Sequence, residues 1–180
     1  MRVVMVSLVW VLMSLVAVAQ TTTEVQPMTK KEKRKAQLEA DFKATQHLLE
    51  NKQFVLEADF LQDRYGNRAF VSSTINFVAV DSMEAVIQIG SNYRIGPNGV
   101  GGVTAKGRIT KWELEPDYKR KTFALEMNVM TGIGIYDLRF TIGPSGNAKA
   151  LLTGLRAGNL TFDGTVVSME ESRVFEGHSI

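Results

Sequence analysis

Alternation with a period of two, repeated from Gln53 almost to the C-terminus, constrains this chain more than any other feature. In FVLEADF, Phe54, Leu56, Ala58 and Phe60 fall on one face and Glu57 and Asp59 on the other. A pleated strand points successive side chains to opposite faces, so this pattern predicts a half-buried strand. It returns in STINFVAV (Ile75, Phe77, Ala79), MEAVIQIG (Ala85, Ile87, Ile89), KTFALEMNVM (Phe123, Leu125, Met127, Val129) and YDLRFTI (Leu138, Phe140, Ile142). Turn signals separate the runs: Tyr65-Gly66-Asn67, Asp81-Ser82, Glu115-Pro116-Asp117, Gly143-Pro144-Ser145-Gly146-Asn147 and Ala157-Gly158-Asn159. The spacing predicts about eight strands in one antiparallel β domain over residues 53–177, with 178–180 as a tail. A barrel and a sandwich both bury one face of each strand; a closed, lipocalin-like barrel is the preferred reading, and it raises the expectation of a lumen around Phe77, Ile87, Leu125 and Phe140.

Ahead of the strands the period is helical. Thr29 and Glu32 match a capping box, and Leu38, Phe42, Thr45 and Leu49 form an apolar stripe, so a single amphipathic helix is predicted over 29–52. Its first turns carry Lys30-Lys31-Glu32-Lys33-Arg34-Lys35, which reads as a solvated face or as an arm for an anionic partner. Residues 20–28, threonine-rich with Pro27, read as a flexible lead. Residues 1–19 combine Arg2, an apolar run from Val3 to Val16 and Ala17-Val18-Ala19, the pattern of a secretory signal peptide cut before Gln20. The expected product is exported, in the periplasm or outside the cell, with no transmembrane segment after cleavage. Without cysteine it has no lipoprotein anchor, disulfide, thiolate nucleophile or cysteine-based metal site.

The stretch GPNGVGGVTAKG, residues 96–107, invites reading as a phosphate loop. Gly102 to Gly107 supply the spacing of such a loop, but Arg108 and Ile109 stand where lysine and a hydroxyl must follow. The dinucleotide pattern fails at Thr104, and both motifs require a helix where ITKWELE reads as strand. The glycines therefore turn a corner, or else form a ligand lip with Tyr93, Arg94, Asn98, Gly99, Gly101, Gly102 and Lys106.

Nothing catalytic stands out. Asp137, with Glu170 or Glu171, is the only carboxylate set worth naming for glycan chemistry. His47 and His178 are too far apart in sequence to suggest a metal site, no G-x-S-x-G occurs, and Trp112 and Tyr136 suit packing or sugar stacking. The formal charge of +2 for the whole chain, or +1 without Arg2, argues against a nucleic-acid partner.

The run from about Gln53 to Gly177 also resembles a known family. INFVAVDSMEAVIQIGS, GPNGVGGVTAKGRIT, GIGIYDLRFTIGPSGNAKALLTG and NLTFDGTVVSMEESRVFEG, with the turn Ser145-Gly146-Asn147-Ala148, are similar to domain-of-unknown-function family 4251, exported β-rich proteins of Gram-negative gut and oral bacteria. The resemblance implies an envelope location and the β-rich fold; it implies no reaction, cofactor or catalytic residue. The function expected is a non-enzymatic, cofactor-free binding domain for a small apolar or amphiphilic ligand. The alternatives are an envelope module that docks on a protein through its basic helix, and a glycan-acting enzyme.

Overall fold

The computed structural model of the protein describes residues 28–91, 98–155 and 158–179. One helix, α1 (Lys30–Asn51), precedes nine strands: β1 (Gln53–Asp63), β2 (Arg68–Phe70), β3 (Phe77–Asp81), β4 (Glu84–Ile89), β5 (Val103–Asp117), β6 (Thr122–Thr131), β7 (Gly134–Ile142), β8 (Asn147–Leu155) and β9 (Gly158–Val167). Every pairing is antiparallel. The order β1-β3-β4-β5-β6-β7-β8-β9 is closed by β1 on β9, so eight strands make an up-and-down barrel and β2 is a short extra strand on β1. The signal sequence and its cleavage site lie outside the described residues.

The barrel is filled by its own side chains. Phe54, Leu56, Phe123, Leu125, Met127, Leu138, Ile142 and Phe162 are each under 2% exposed, and Phe54 meets Phe140 edge-on at 6.1 Å. Eight strands enclose a space about wide enough for side chains to meet, which is what these large residues do. Trp112 is turned inward against this core, 6.3 Å from Phe54, and Tyr136 lies within it. The expectation of a lumen around four named residues needs correcting at Phe77, which is not an interior residue.

β3 explains that correction. Its buried run has two faces: Val78 and Val80 enter the barrel, while Phe77 and Ala79 join Val55 and Val86 on the outer wall. Residues 168–179 pass over this wall and cover it with Val174. They are held by hydrogen bonds: Ser172 Oγ and the Arg173 amide donate to Glu57 Oε1 at 2.7 and 2.9 Å, and the Phe175 amide to the Thr74 carbonyl at 2.8 Å. A covered strand loses its alternation because both faces leave water. Phe60 departs from the expected face for another reason. The β1–β9 register jumps between Ala58 and Phe60, leaving Asp59 as the extra residue of a bulge; Leu61 then packs on the core and Phe60 turns outward.

α1 closes one end of the barrel. Thr29 Oγ1 accepts from the Glu32 amide at 3.3 Å and Glu32 Oε2 accepts from the Thr29 amide at 2.8 Å, a complete capping box. The helix stops at Lys52 in the left-handed conformation, φ 54°. Phe42, Thr45 and Leu49 are the buried residues: Phe42 stacks on Phe123 at 4.5 Å, and Thr45 Oγ1 donates to the Pro144 carbonyl at 2.9 Å. Leu38, expected on the same stripe, remains 41% exposed because the helix has by then passed the barrel rim.

Candidate functional site

The glycine-rich corner after β4 is built around amide side chains. Asn98 is fully buried. Its Oδ1 accepts from the Gly102 amide at 2.9 Å and the Val100 amide at 3.2 Å, and its Nδ2 donates to Thr104 Oγ1 at 3.1 Å. Thr104 Oγ1 passes the bond to Gln88 Oε1 at 2.9 Å. Gln88, also fully buried, uses its whole capacity: Nε2 donates to the carbonyls of Ile75 and Phe175, and Oε1 accepts a second bond from the Gly177 amide at 2.8 Å. The Asn98 carbonyl accepts from the His178 amide at 2.9 Å. Buried amides of this kind require every partner, so the corner, β4 and the C-terminal segment are one hydrogen-bonded unit. Gly102 is required because a Cβ there would collide with the Ile89 carbonyl, and Gly99 because its φ is 77°.

Of the seven residues expected to form a lip, the structure brings Asn98, Gly99, Gly101 and Gly102 together in this corner. Asn98 and Gly99 border a small cavity of about 290 Å³ with Phe175 and His178. Lys106 stands on the outer face of β5, 3.8 Å from Glu84 and 3.9 Å from Glu176. Tyr93 and Arg94 lie outside the described residues.

A larger recess, about 580 Å³, opens on the outer wall where the β1 bulge, β2, residues 71–76 and the start of the glycine corner meet. The bulge presents Asp59 at its edge, and the Asp59 carbonyl accepts from the Val71 amide at 2.9 Å. Pairing of Phe60 with Phe70 carries β2 along the rim. The Phe60 ring has Phe70 edge-on at 5.5 Å and the Arg68 guanidinium at 3.7 Å; Arg68 is fixed in turn by Asp163 at 2.8 Å. Phe70 is thereby held from one side and left 77% exposed on the other. The buried Asn76 braces the wall, donating to the Ser72 carbonyl at 3.0 Å and accepting from the Gly90 amide at 2.9 Å. Ile75 and Ser73 also line it. Among the described residues the Asp59 carboxylate has no hydrogen bond or ion pair, so it is available as an acceptor beside an apolar ring.

The other candidates are dispersed. Asp137 is on the outside of β7, hydrogen-bonded to Asn128 Nδ2, beside a ladder in which Glu126 meets Lys111 at 3.3 Å and Arg139 at 3.2 Å. Lys111 is held above the usual lysine range chiefly by its bond to Glu113. Glu171 bonds Ser168 at 3.2 Å in the segment after β9, whose following residues lie over β1, β3 and β4. These carboxylates belong to different walls. His47 contacts Asn51 on α1. Among the described residues no three His, Asp or Glu side chains are placed to share a metal ion, and no helix is long and apolar enough to cross a membrane.

The family described as Domain of unknown function (DUF4251) matches residues 33–166. The crystal structure of a DUF4251 family protein from Bacteroides eggerthii DSM 20697 is similar at 28% identity, with a TM-score of 0.63, over 76% of this chain and 93% of that one. No curated protein matches the chain.

Proposed function

The chain belongs to the DUF4251 family, and on that premise we propose that it is an exported, non-enzymatic binding domain that takes a small amphiphilic ligand in the recess outside its barrel. The observation that carries this reading is Phe70: a large ring, 77% exposed, on the rim of a recess of about 580 Å³ whose edge also holds the Asp59 carboxylate. Single exposed apolar residues are ordinary on protein surfaces. A ring fixed by Phe60 and placed beside an acceptor in a concavity is better suited to a ligand. Such a ligand has one apolar face for Phe70 and hydroxyl or amine donors for Asp59 and Ser73. The packed core supports an outer site over a lumen, since Phe54 and Phe140 occupy the space a buried ligand would need.

Octyl glucoside, used below its micellar concentration, supplies both features and serves as the probe. Its addition is expected to raise the melting temperature of the protein, and Phe70→Ala to remove that rise without lowering the melting temperature of the free protein. Asp59→Asn should weaken binding about tenfold, from the roughly 1.5 kcal/mol at the low end of what a hydrogen bond to a charged group contributes. An equal rise in the Phe70→Ala protein would overturn the assignment of the site.

A further inference from the structure

The end of the barrel closed by α1 carries a second feature, independent of the recess. From Lys30 to Leu38 every helix residue is exposed, so about two and a half turns of α1 stand clear of the barrel. The stripe that docks the helix runs through Phe42, Thr45 and Leu49. Continued backwards at helical spacing it reaches Leu38, then Lys35 and Lys31. Where the barrel ends, the stripe turns from apolar to cationic.

The β5–β6 turn, residues 118–121, joins this pole from a distant part of the chain. Tyr118 meets Phe42 edge-on at 5.8 Å, and Lys121 reaches Glu39 at 2.8 Å and lies 4.8 Å over the Phe42 ring. The Glu39 carboxyl is held below its ordinary range chiefly by the Lys121 bond, with Lys43 and Lys35 contributing. Lys121 thus ties the turn to the helix at the base of the overhang; the turn's other cations, Lys119 and Arg120, are exposed, with Arg120 3.8 Å from Asp117. With the paired Glu39 and Asp117 counted, residues 28–39 and 117–121 together hold +5 of formal charge in a chain of +2, so the remainder holds −3. Leu38, 41% exposed, and Tyr118, 59% exposed, lie among the cations.

We propose that this pole seats the protein on a lipid bilayer rich in anionic headgroups. The apolar side chains favour a bilayer over a soluble polyanion, because cations with an interspersed tyrosine and leucine match the boundary between headgroups and acyl chains. The opposite charge on the rest of the molecule orients it with the α1 end down.

The test is co-sedimentation of the chain beginning at Gln20 with vesicles of equimolar phosphatidylglycerol and phosphatidylcholine, against vesicles of phosphatidylcholine alone. Binding is expected to the anionic vesicles only, and to vanish between about 0.1 M and 1 M salt as the screening length falls to about 3 Å. Each neutralised cation should lower partitioning roughly five-fold, so both the helix pair Lys31→Gln/Lys35→Gln and the turn pair Lys119→Gln/Arg120→Gln should lower it by roughly twenty-five-fold, and Arg108→Gln on the barrel wall should leave it unchanged. These side chains are exposed, and unaltered melting temperatures will show that the variants fold. Equal binding to neutral vesicles, an inert turn pair, or capture by heparin with no vesicle binding would each overturn the proposal.

Discussion

Asn98 and Gln88 show how much one polar side chain can decide. Both are fully buried; the Gln88 side chain is bonded to backbone of two other segments and the Asn98 side chain to two amides of its own loop and to Thr104, so removing either strands several partners in a dry place. An unsatisfied buried group costs about 1–3 kcal/mol. Asn98→Ala is therefore expected to lower the melting temperature by several degrees, at about 2–4 °C per kcal/mol for a chain of this size, as read by calorimetry. A melting temperature equal to that of the parent would refute the structural role of the corner. GPNGVGGVTAKG was legible as a corner from what its motifs lack, but the reason for it was not. Gln88 lies 10 residues before Asn98, and Gly177 lies 79 after it, so no local pattern joins them. Phe70 and Asp59 were missed for a similar reason. Three residues of strand between turns give no periodicity, and Asp59 reads as an ordinary outward position until the bulge is seen.

At the scale of elements, alternation located the strands and most of their inward faces, and the capping box located the start of α1. The failures have physical causes. β3 is covered on both sides, the bulge reverses the parity of β1, and Pro116 stays within β5 opposite Phe123, with the turn falling at 118–121 instead of 115–117. α1 gives two predictions. Thr29→Ala removes the cap and should cost about 1 kcal/mol, seen as a loss of helical signal from residues 30–38 and not from the barrel. Glu32 and Glu39 are both held below their ordinary value of 4.5, Glu32 by its bonds with Thr29 and Glu39 by Lys121. Both bind protons less readily in the folded chain than in the unfolded one. What they contribute is complete above about pH 4.5 and is lost as the pH falls below it. Thermal scans at falling pH should show the helix end fraying first, and Glu39→Gln should remove its part of the dependence.

The whole molecule is a filled barrel whose recesses lie on its outer wall. One end is closed by a helix, one wall is covered by the C-terminal segment, and the open recess lies beside the β1 bulge. A filled interior predicts that truncation there is costly: Leu125→Ala should destabilise by about 2–5 kcal/mol in urea unfolding, whereas a ligand-holding lumen would absorb the change with little loss. The spacing of strands carried an antiparallel β domain and left barrel and sandwich both open; closure depends on β1 pairing with β9 from the far end of the chain, and the filled interior on Phe54, Phe140 and Trp112 converging from three strands. The most direct measurement of the central claim is the set of backbone amide shifts in the isotope-labelled protein titrated with octyl glucoside below its micellar concentration. A ligand seated against Phe70 gives saturable shifts confined to Asp59, residues 69–76 and Gly90–Ser91. Shifts centred on the inward residues of β6 and β7, or none that saturate, would contradict it.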